Sequence, residues 1–308
     1  MSGFFISLSL YLGAFLAAPF FMAVILKVKA FFAGKQGPSL FIKYQTLAKL
    51  LQKGSVYSDS TTFIFRFGPL VGLSASLAAL AFLPVAGMRP LLSFQGDMIF
   101  VCYLFALARF FTISAALDTA SPFEGMGAAR EAMFGMLAEA TVFLTFFLFS
   151  RLSGEFSLAG FFGSASVITV WHPALTSLVL VIPAIFIVLV AENARVPVDD
   201  PATHLELTMI HEVMILDHSG PDLAFIEAGV FCKMFFYTGI ISDLLLPGKI
   251  DNITQLSLYL LFMLLLYAAI GMLESITARF KMNHVPKFIL TSFALVFFAL
   301  ILSMEVPL

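Results

Sequence analysis

Charged residues are scarce in this chain of 308 residues: they make up 12% of it, whereas hydrophobic residues make up 60%. The mean hydropathy of +1.01 excludes an ordinary soluble globular domain and indicates an integral membrane protein. The formal net charge of −2 provides no positive excess for binding nucleic acid. We therefore expect a lipid bilayer around the chain and no nucleic-acid partner.

Cysteine is also rare, because only Cys102 and Cys232 are present and each lies in an apolar run. Two distant cysteines make no disulfide framework, and an iron–sulfur cluster needs about four thiolates. The cysteines therefore predict that this chain alone holds no iron–sulfur cluster, and no cofactor is assigned to the chain itself; a bound quinone is not favoured. The first apolar run lacks a basic segment before it, so it is predicted to span the membrane rather than to be a cleaved signal peptide.

Eight apolar runs approach the roughly 20 residues that a membrane-spanning helix needs. The sequence therefore predicts an all-α integral membrane protein that forms one polytopic domain over residues 1–308. Because a helix that is apolar on all sides gives little periodicity, the faces of these helices are not assigned. The predicted spans are 4–26, 67–88, 97–117, 132–150, 174–191, 223–246, 255–274 and 287–306.

The basic residues of the loops are distributed unequally between the two sides of this topology. One side holds only Arg89, Arg151 and Lys249, and the other holds twelve basic residues. Lys and Arg are retained on the cytoplasmic side, which predicts a cytoplasmic (inner) membrane protein with both termini outside. The twelve are Lys27, Lys29, Lys35, Lys43, Lys49, Lys53, Arg66, Arg130, Arg195, Arg279, Lys281 and Lys287.

The first cytoplasmic loop contains the amphipathic stretch SLFIKYQTLAKLLQKG, from Ser39 to Gly54. Its apolar residues share one helical face and its lysines lie elsewhere, which predicts a helix lying in the membrane interface. Two interpretations of this helix stay open, namely binding of lipid headgroups and docking of a partner protein.

The stretch from Glu192 to Asp222 concentrates ionisable residues, with seven of the 19 acidic residues and three of the five histidines. Prolines interrupt it, and Asp199–Asp200–Pro201 is predicted to cap a helix from Ala202 to Leu216. His204 and His211 would lie two turns apart on that helix. A metal site with Glu206 or Glu212 is an alternative, although the spacing is not the H-E-x-x-H of zinc proteases.

Six of the charged residues inside predicted spans are candidates for buried groups, because charge there is costly and usually faces a bundle interior or a cavity. Glu139 is the most informative, since Arg130 and Glu131 precede it by about 12–14 Å of helix. We expect Glu131 near the cytoplasmic surface and Glu139 well inside, where it exchanges protons. A structural ion pair between Glu139 and Lys233 or another basic group is the alternative. The six are Arg109, Glu139, Glu227, Lys233, Asp243 and Glu274.

Three motifs resemble those of the complex I subunit 1 family. GKQGPSLFIKYQTLAKLL, with Gly37 and Pro38, is similar to the family's interfacial segment. GAAREAMFGMLAEA matches a family segment through Arg130 and Glu139. The pattern E-x-x-R-x-P-x-D…E-L resembles the signature loop, here formed by Glu192, Arg195, Pro197, Asp199, Glu206 and Leu207.

A further stretch, LFALARFFTISAALDTASPFEGMGAARE, resembles the hydrogenase branch of this family, as does Lys233. That branch comprises the membrane anchor subunits of formate hydrogenlyase, hydrogenase-4 and other energy-converting NiFe hydrogenases. The chain departs from the family after Asp199, where an acidic string is replaced by Ala202–Leu207 and only Glu206 keeps a carboxylate. Ala202 and His204 replace two acids, and because histidine titrates near neutrality the replacement by His204 need not abolish proton exchange.

The resemblance implies a membrane heel subunit that anchors a peripheral NiFe hydrogenase arm. This subunit would couple electron transfer in the arm to proton or sodium translocation without catalysing a reaction itself. The implied partners are hydrogenase-like large and small subunits, an iron–sulfur subunit and antiporter-like membrane subunits. The NiFe centre and the iron–sulfur clusters are expected in those partners.

The resemblance and the positions of the charges together assign three groups of residues. The proton-coupling residues are Glu139, Glu192, Asp199, Glu206, Glu212, Lys233, His204 and His211. The charge-pairing residues are Arg130, Glu131, Arg195 and Arg109. The partner-docking residues are Lys35, Gly37, Pro38, Lys43, Lys49 and Asp200.

Three alternatives stay open. The first is a quinone-site subunit of NADH:quinone oxidoreductase. The shortened acidic string disfavours it, and a quinone-sized cavity enclosed by the first and sixth spans and the stretch from Glu192 to Asp222 would favour it. The second is an independent ion transporter, for which inverted repeats would be expected. The third is a purely structural anchor with no role in ion movement.

Overall fold

The computed structural model describes residues 2–163, 175–200, 209–247 and 251–304, and these residues form a helical bundle. The predicted all-α fold is confirmed, since the described segments contain helices and no β-strand. The helices are α1 (Ser2–Phe32), α2 (Ile42–Leu51), α3 (Phe63–Leu80), α4 (Asp97–Asp118), α5 (Pro122–Ser153), α6 (Leu158–Gly163), α7 (Leu175–Glu192), α8 (His211–Met214), α9 (Gly220–Leu245), α10 (Asn252–Ile276) and α11 (Val285–Met304).

Each predicted span overlaps one apolar helix. Seven helical segments, α1, α3, α4, α5, α9, α10 and the segment that ends in α11, are long and apolar enough to cross a membrane, and α7 is a shorter apolar helix. The predicted boundaries differ most for the fourth span, because α5 begins at Pro122 and not near residue 132. Proline suits the first turn of a helix, where its missing N–H is not needed.

The second predicted span was placed too far along the chain, since α3 covers Phe63–Leu80 and not 67–88. The hydroxyl of Thr62 caps its first turn by accepting a hydrogen bond from the N–H of Ile64. After Leu80 the chain turns through Ala86 and Gly87, both at positive φ. The run is apolar throughout, so hydropathy alone did not reveal where the helix ends.

Large apolar side chains occupy both the interior and the outside of the bundle. Tyr259, Tyr267 and Phe235 are almost fully buried, whereas Phe5 and Phe110 are more than 60% exposed. Exposed aromatic side chains along apolar helices are expected where the surrounding solvent is lipid. This distribution fits a polytopic membrane protein.

The helix predicted in the first loop is present as α2, a ten-residue helix without buried residues. Its Lys43 lies 3.7 Å from the carboxylate of Glu227 on α9 and 5.4 Å from the ring centroid of Phe231. Lys49 is exposed on the same helix. Helix α2 therefore packs on one end of α9 and presents basic residues outward.

The continuous helix predicted from Ala202 to Leu216 is wrong for the part of it that the structure describes. Residues 201–208 lie outside the described ranges, and the only helix in the remainder is the single turn α8. Asp199 does act as a cap, but of α8: its Oδ2 accepts hydrogen bonds from the N–H groups of Ile210 (3.1 Å) and His211 (2.9 Å). A new helix, α9, then begins at Gly220, with proline in its first turn.

Helix α8 packs closely against α5 because Gly127 has no side chain. A Cβ added there would lie 2.3 Å from Val213 Cγ1 and 2.9 Å from the carbonyl oxygen of Ile210. The close approach fixes the position of His211, the first residue of α8, relative to α5.

The substitution Gly127→Ala should therefore destabilise the protein by about 1–3 kcal/mol, as overpacking does in a close-packed interior. The control is Gly125→Ala on the same helix, where an added Cβ meets no atom within 4 Å. Thermal unfolding in detergent measures both variants. Equal melting temperatures for the two variants would show that α8 does not pack against α5 as described.

Candidate functional site

Arg109 of α4 lies at the centre of a group of buried carboxylates. Its Nε is 3.0 Å from Oε1 of Glu131, and its two terminal nitrogens hydrogen-bond to Glu139 and Glu192. The Arg109 side chain is only 8% exposed. A guanidinium has five N–H donors in a fixed plane, so it can bind three carboxylates from two different helices, α5 and α7.

The sequence of α5 leaves space for this guanidinium. Glu131, Gly135 and Glu139 follow one another at intervals of four residues, which places them along one face of the helix. A Cβ on Gly135 would lie 2.5 Å from Arg109 Nε. Glycine between the two glutamates therefore allows one arginine to reach both.

Lys233 of α9 joins the network through Glu192. Its Nζ lies 2.5 Å from Glu192 Oε2 and donates a hydrogen bond of 3.1 Å to the backbone carbonyl of Glu192. The Glu192 carboxylate thus lies between Arg109 and Lys233. Two cations beside one buried carboxylate stabilise its ionised form.

His211 extends the network toward the end of the bundle. Its Nε2 lies 3.0 Å from Glu131 Oε2, and its Nδ1 lies 3.5 Å from Asp199 Oδ2. The other oxygen of Asp199 is 2.7 Å from a guanidinium nitrogen of Arg279, whose side chain is 18% exposed. The charged groups are therefore in continuous contact from Arg279 at the loops to Glu139 in α5.

The charges of these eight side chains balance only when His211 is protonated, because four carboxylates face the three permanent cations Arg109, Lys233 and Arg279. Burial by itself would lower the pKa of His211, but the carboxylates of Glu131 and Asp199 raise it to about 10. Burial would raise the pKa of Asp199, but His211 and Arg279 bring it below its usual value. His211 is therefore an imidazolium between two carboxylates at neutral pH.

A second cluster lies at the same end of the bundle. Glu274 of α10 binds Lys29 of α1 at 2.9 Å and Arg195 at 3.3 Å. Arg195 also lies 3.4 Å from the sulfur of Met22 on α1. The predicted charge-pairing role of Arg195 thus has a partner in Glu274, which tethers α1, α10 and the loop after α7.

Both clusters border a cavity of about 340 Å³ between α1, α3, α4 and α9. Glu212 lies in its wall, and burial together with the Asp199 carboxylate raises the pKa of Glu212. His218, also in the wall, stacks on Phe65 at 3.9 Å, and burial lowers its pKa to about 4. The charged and titratable wall residues are Lys29, Lys43, Arg109, Glu131, Glu192, Arg195, His211, Glu212, His218, Glu227 and Lys233.

The remaining predicted site residues occupy different positions. Arg130 donates a hydrogen bond of 2.9 Å to the carbonyl of Met209, so it fixes the loop before α8. The predicted docking residues Lys35, Gly37, Pro38, Lys49 and Asp200 are exposed or half-buried near the loop end of the bundle. His204 and Glu206 lie outside the described residues.

The two glutamates of α5 have different surroundings in the described structure. Glu139 lies eight residues beyond Glu131, which is about 12 Å along the helix. The Glu131 side chain is 8% exposed because α8 packs over it, whereas that of Glu139 is 32% exposed on the side of the bundle. The alternative of an ion pair with Lys233 or another basic group is met by Arg109, which binds Glu139. The expected depth of each glutamate in the membrane stays a prediction.

The metal-site alternative has no support in the described residues. They contain no group of three His, Cys, Asp or Glu side chains placed to hold a metal ion. His211 faces Glu131 and Asp199 instead, and His204 is outside the described ranges.

Sequence reasoning missed the partners Glu274 and Arg279. Glu274 was noted only as a charge within a span, and Arg279 only as one of the basic loop residues. Glu274 lies near the end of α10, and Arg279 follows five residues later, just after that helix. Their partners Arg195 and Asp199 lie together in the short loop after α7. The opposite charges of these two segments were the available indication that they meet.

The fold and the site define a polytopic membrane protein with a buried charge network that reaches its loop end. The sequence profile of the NADH dehydrogenase family matches residues 6–305, and the chain belongs to this family. The predicted resemblance is thereby confirmed over nearly the whole chain.

Two relatives from Escherichia coli (strain K12) confirm the predicted hydrogenase branch. Formate hydrogenlyase subunit 4 is 27% identical over 297 residues, covering 93% of this chain and 94% of the relative. Hydrogenase-4 component C is 28% identical over 268 residues, covering 85% of this chain and 83% of the relative.

A solved structure has the same fold. A chain from the membrane-bound sulfane sulfur reductase, an archaeal respiratory membrane complex, matches with a TM-score of 0.82. The match covers 98% of this chain and 100% of the other at 21% identity, so it supports the fold alone.

The substitution His211→Gln should remove part of the pH dependence of stability. The folded-state pKa of His211 is raised above the unfolded value of 6.5 to about 10. Its stabilising contribution is therefore complete below about pH 6.5 and is lost as the pH rises through 10. The melting temperature in detergent, measured from pH 6 to 10, should fall more steeply for the unsubstituted protein than for His211→Gln.

The control for this experiment is His218→Gln, because His218 is neutral across the same range. That variant should keep the steep fall of the unsubstituted protein. If His211→Gln kept it as well, the imidazolium between Glu131 and Asp199 would be contradicted.

Proposed function

We propose that this chain is the membrane heel subunit of a complex I-related energy-converting hydrogenase. In this function it anchors a peripheral NiFe hydrogenase arm and couples the arm's electron transfer to proton or sodium translocation. The chain is a multi-pass membrane protein whose relatives are components of multisubunit complexes. The observation that carries the coupling role is the continuous charge network from Arg279 to Glu139.

The network links two different surfaces of the bundle. One end lies at the loops, where Arg279 and Asp199 are close to the predicted docking residue Asp200. The other end is Glu139, in the apolar middle of α5 and 32% exposed on that helix. A charge change at the loop end can therefore be transmitted through contacting groups to the side of the bundle.

His211 carries the titratable proton of this network that lies nearest to the loop end. A new unit charge about 10 Å away, at an effective dielectric of about 20, changes its energy by about 1.7 kcal/mol. That is roughly one pKa unit, so His211 stays protonated at neutral pH while the strength of its contacts with Glu131 and Asp199 changes. Reduction or oxidation of a centre in the docked arm would alter the electrostatic interaction of His211 with Glu131 and Asp199. Arg109 would then redistribute its hydrogen bonds among its three carboxylate partners.

In this proposal the two ends of the charge network face different partner subunits. The arm, with hydrogenase-like large and small subunits and an iron–sulfur subunit, would bind the loop end through Lys35, Lys43, Lys49 and their neighbours. Antiporter-like subunits would cover Glu139 on α5. The NiFe centre and iron–sulfur clusters would lie in the arm, and the loop end, rich in lysine and arginine, would face the cytoplasm.

The cavity favours a second candidate, a quinone-site subunit. Its lining residues come from α1, α9 and the segment after α7, which is where a quinone site was expected. Its volume of about 340 Å³ is at the lower end of the range for small-molecule sites. Against this candidate, the relatives are hydrogenase components and the acidic string is thinned to Glu206.

Purification of the tagged chain in mild detergent tests both candidates. Mass spectrometry, metal analysis and quinone extraction should find a hydrogenase-like large subunit, nickel and iron with the chain and no stoichiometric quinone. A flavin- and quinone-containing assembly would replace the first candidate by the second. Isolation of the chain alone, with ion transport in liposomes, would contradict both.

A further inference from the structure

Asp243 is a buried carboxyl group far from the charge network. It lies near the end of α9, ten residues after Lys233, which corresponds to about 15 Å along a helix. Its exposure is 3%, and its Oδ1 accepts a hydrogen bond of 3.0 Å from the N–H of Gly87. Its Oδ2 has no hydrogen-bond partner, and no basic residue forms an ion pair with it in the described part of the chain.

Tyr259 of α10 is directed at the same face of α9. Its hydroxyl would lie 2.7 Å from a Cβ added at Gly239, which is one turn before Asp243. Tyr259 is fully buried and its hydroxyl also has no hydrogen-bond partner. The two unpartnered groups therefore share one face of α9, between α9 and α10.

The described groups near Asp243 carry no charge. The turn after α3 contributes the N–H of Gly87, which hydrogen-bonds to Asp243. Leu83 and Tyr259 lie against Gly239, one turn before Asp243, and Gln255 of α10 lies against Gly87. An ionised carboxylate without a cation in such surroundings is strongly disfavoured, whereas a neutral carboxylic acid is tolerated. A neutral acid also gains a donor, which suits the hydroxyl oxygen of Tyr259.

We propose that Asp243 is a proton-binding site that holds a proton at neutral pH and exchanges it with the aqueous phase at the end of the bundle opposite the charge network. Only a proton moves, between Oδ2 of Asp243 and water. The boundary of the chain is near, because Gly87, whose N–H binds Asp243, is half-buried, and so is Gln255, which lies against Gly87.

Buried hydroxyl groups continue from Asp243 toward the network. Along α9 they belong to Ser242, Thr238 and Tyr237, all at most 3% exposed. From α10, Tyr267 is also fully buried. The site therefore gives this chain ionisable groups near both ends of α9, whatever complex it belongs to.

Infrared spectroscopy of the purified full-length chain in its native assembly tests the proposal. At neutral pH, Asp243→Asn should lose the C=O absorbance of one protonated carboxylic acid, and in the unsubstituted protein that band should shift to lower frequency within minutes in D2O. The control Asp251→Asn, at an exposed carboxyl of the same end, should leave the band unchanged.

The variant Tyr259→Phe provides an independent measurement if Asp243→Asn does not fold. It should keep the band but shift its frequency, because a hydroxyl on the same face of α9 as the acid is lost. Spectra of Asp243→Asn without loss of the band would show that Asp243 is ionised. A band that Tyr259→Phe does not move would overturn the assignment of the band to an Asp243 acid that faces Tyr259. A band that does not respond to D2O would overturn the exchange with water.

Discussion

The guanidinium of Arg109, buried among three carboxylates, determines how α4, α5 and α7 are arranged at the candidate site. Burying a charge costs several kcal/mol even after relaxation, so each of these groups is tolerated only with its partners in place. Arg109 neutralises Glu131, Glu139 and Glu192 only in part. Lys233 and the protonated His211 supply the remaining positive charge.

This shared neutralisation makes the network responsive at a distance. Each carboxylate in it shares at least one cation, Arg109 or His211, with another carboxylate. A change in the contacts of His211 therefore alters the field at Glu131 and, through Arg109, at Glu139 and Glu192. Low local dielectric strengthens such coupled interactions. The loop that carries Asp199 and α8 closes the network from one end, and glycine at positions 127 and 135 permits the close contacts on α5.

The sequence was sufficient to predict the membrane fold, because eight apolar runs are a strong indication of spanning helices. It also identified Arg109, Glu139, Glu192, Asp199, His211 and Lys233 as site residues, since charges in apolar runs need partners. It did not reveal which charges pair, because pairing depends on helix rotation and on loops folding back. The different exposures of Glu131 and Glu139 and the ion pairs of Glu274 and Arg279 arise from such tertiary contacts.

The coupling role of the Arg109 network is tested most directly by comparing ion transport with electron transfer in the purified assembly reconstituted into liposomes. The variant Glu139→Gln removes one charge from the exposed end of the network, and Glu155→Gln, at an exposed glutamate after α5, is the matched control. The account predicts that Glu139→Gln lowers the number of ions moved per electron several-fold while electron transfer continues, and that the control changes neither. An unchanged ratio in Glu139→Gln would contradict it.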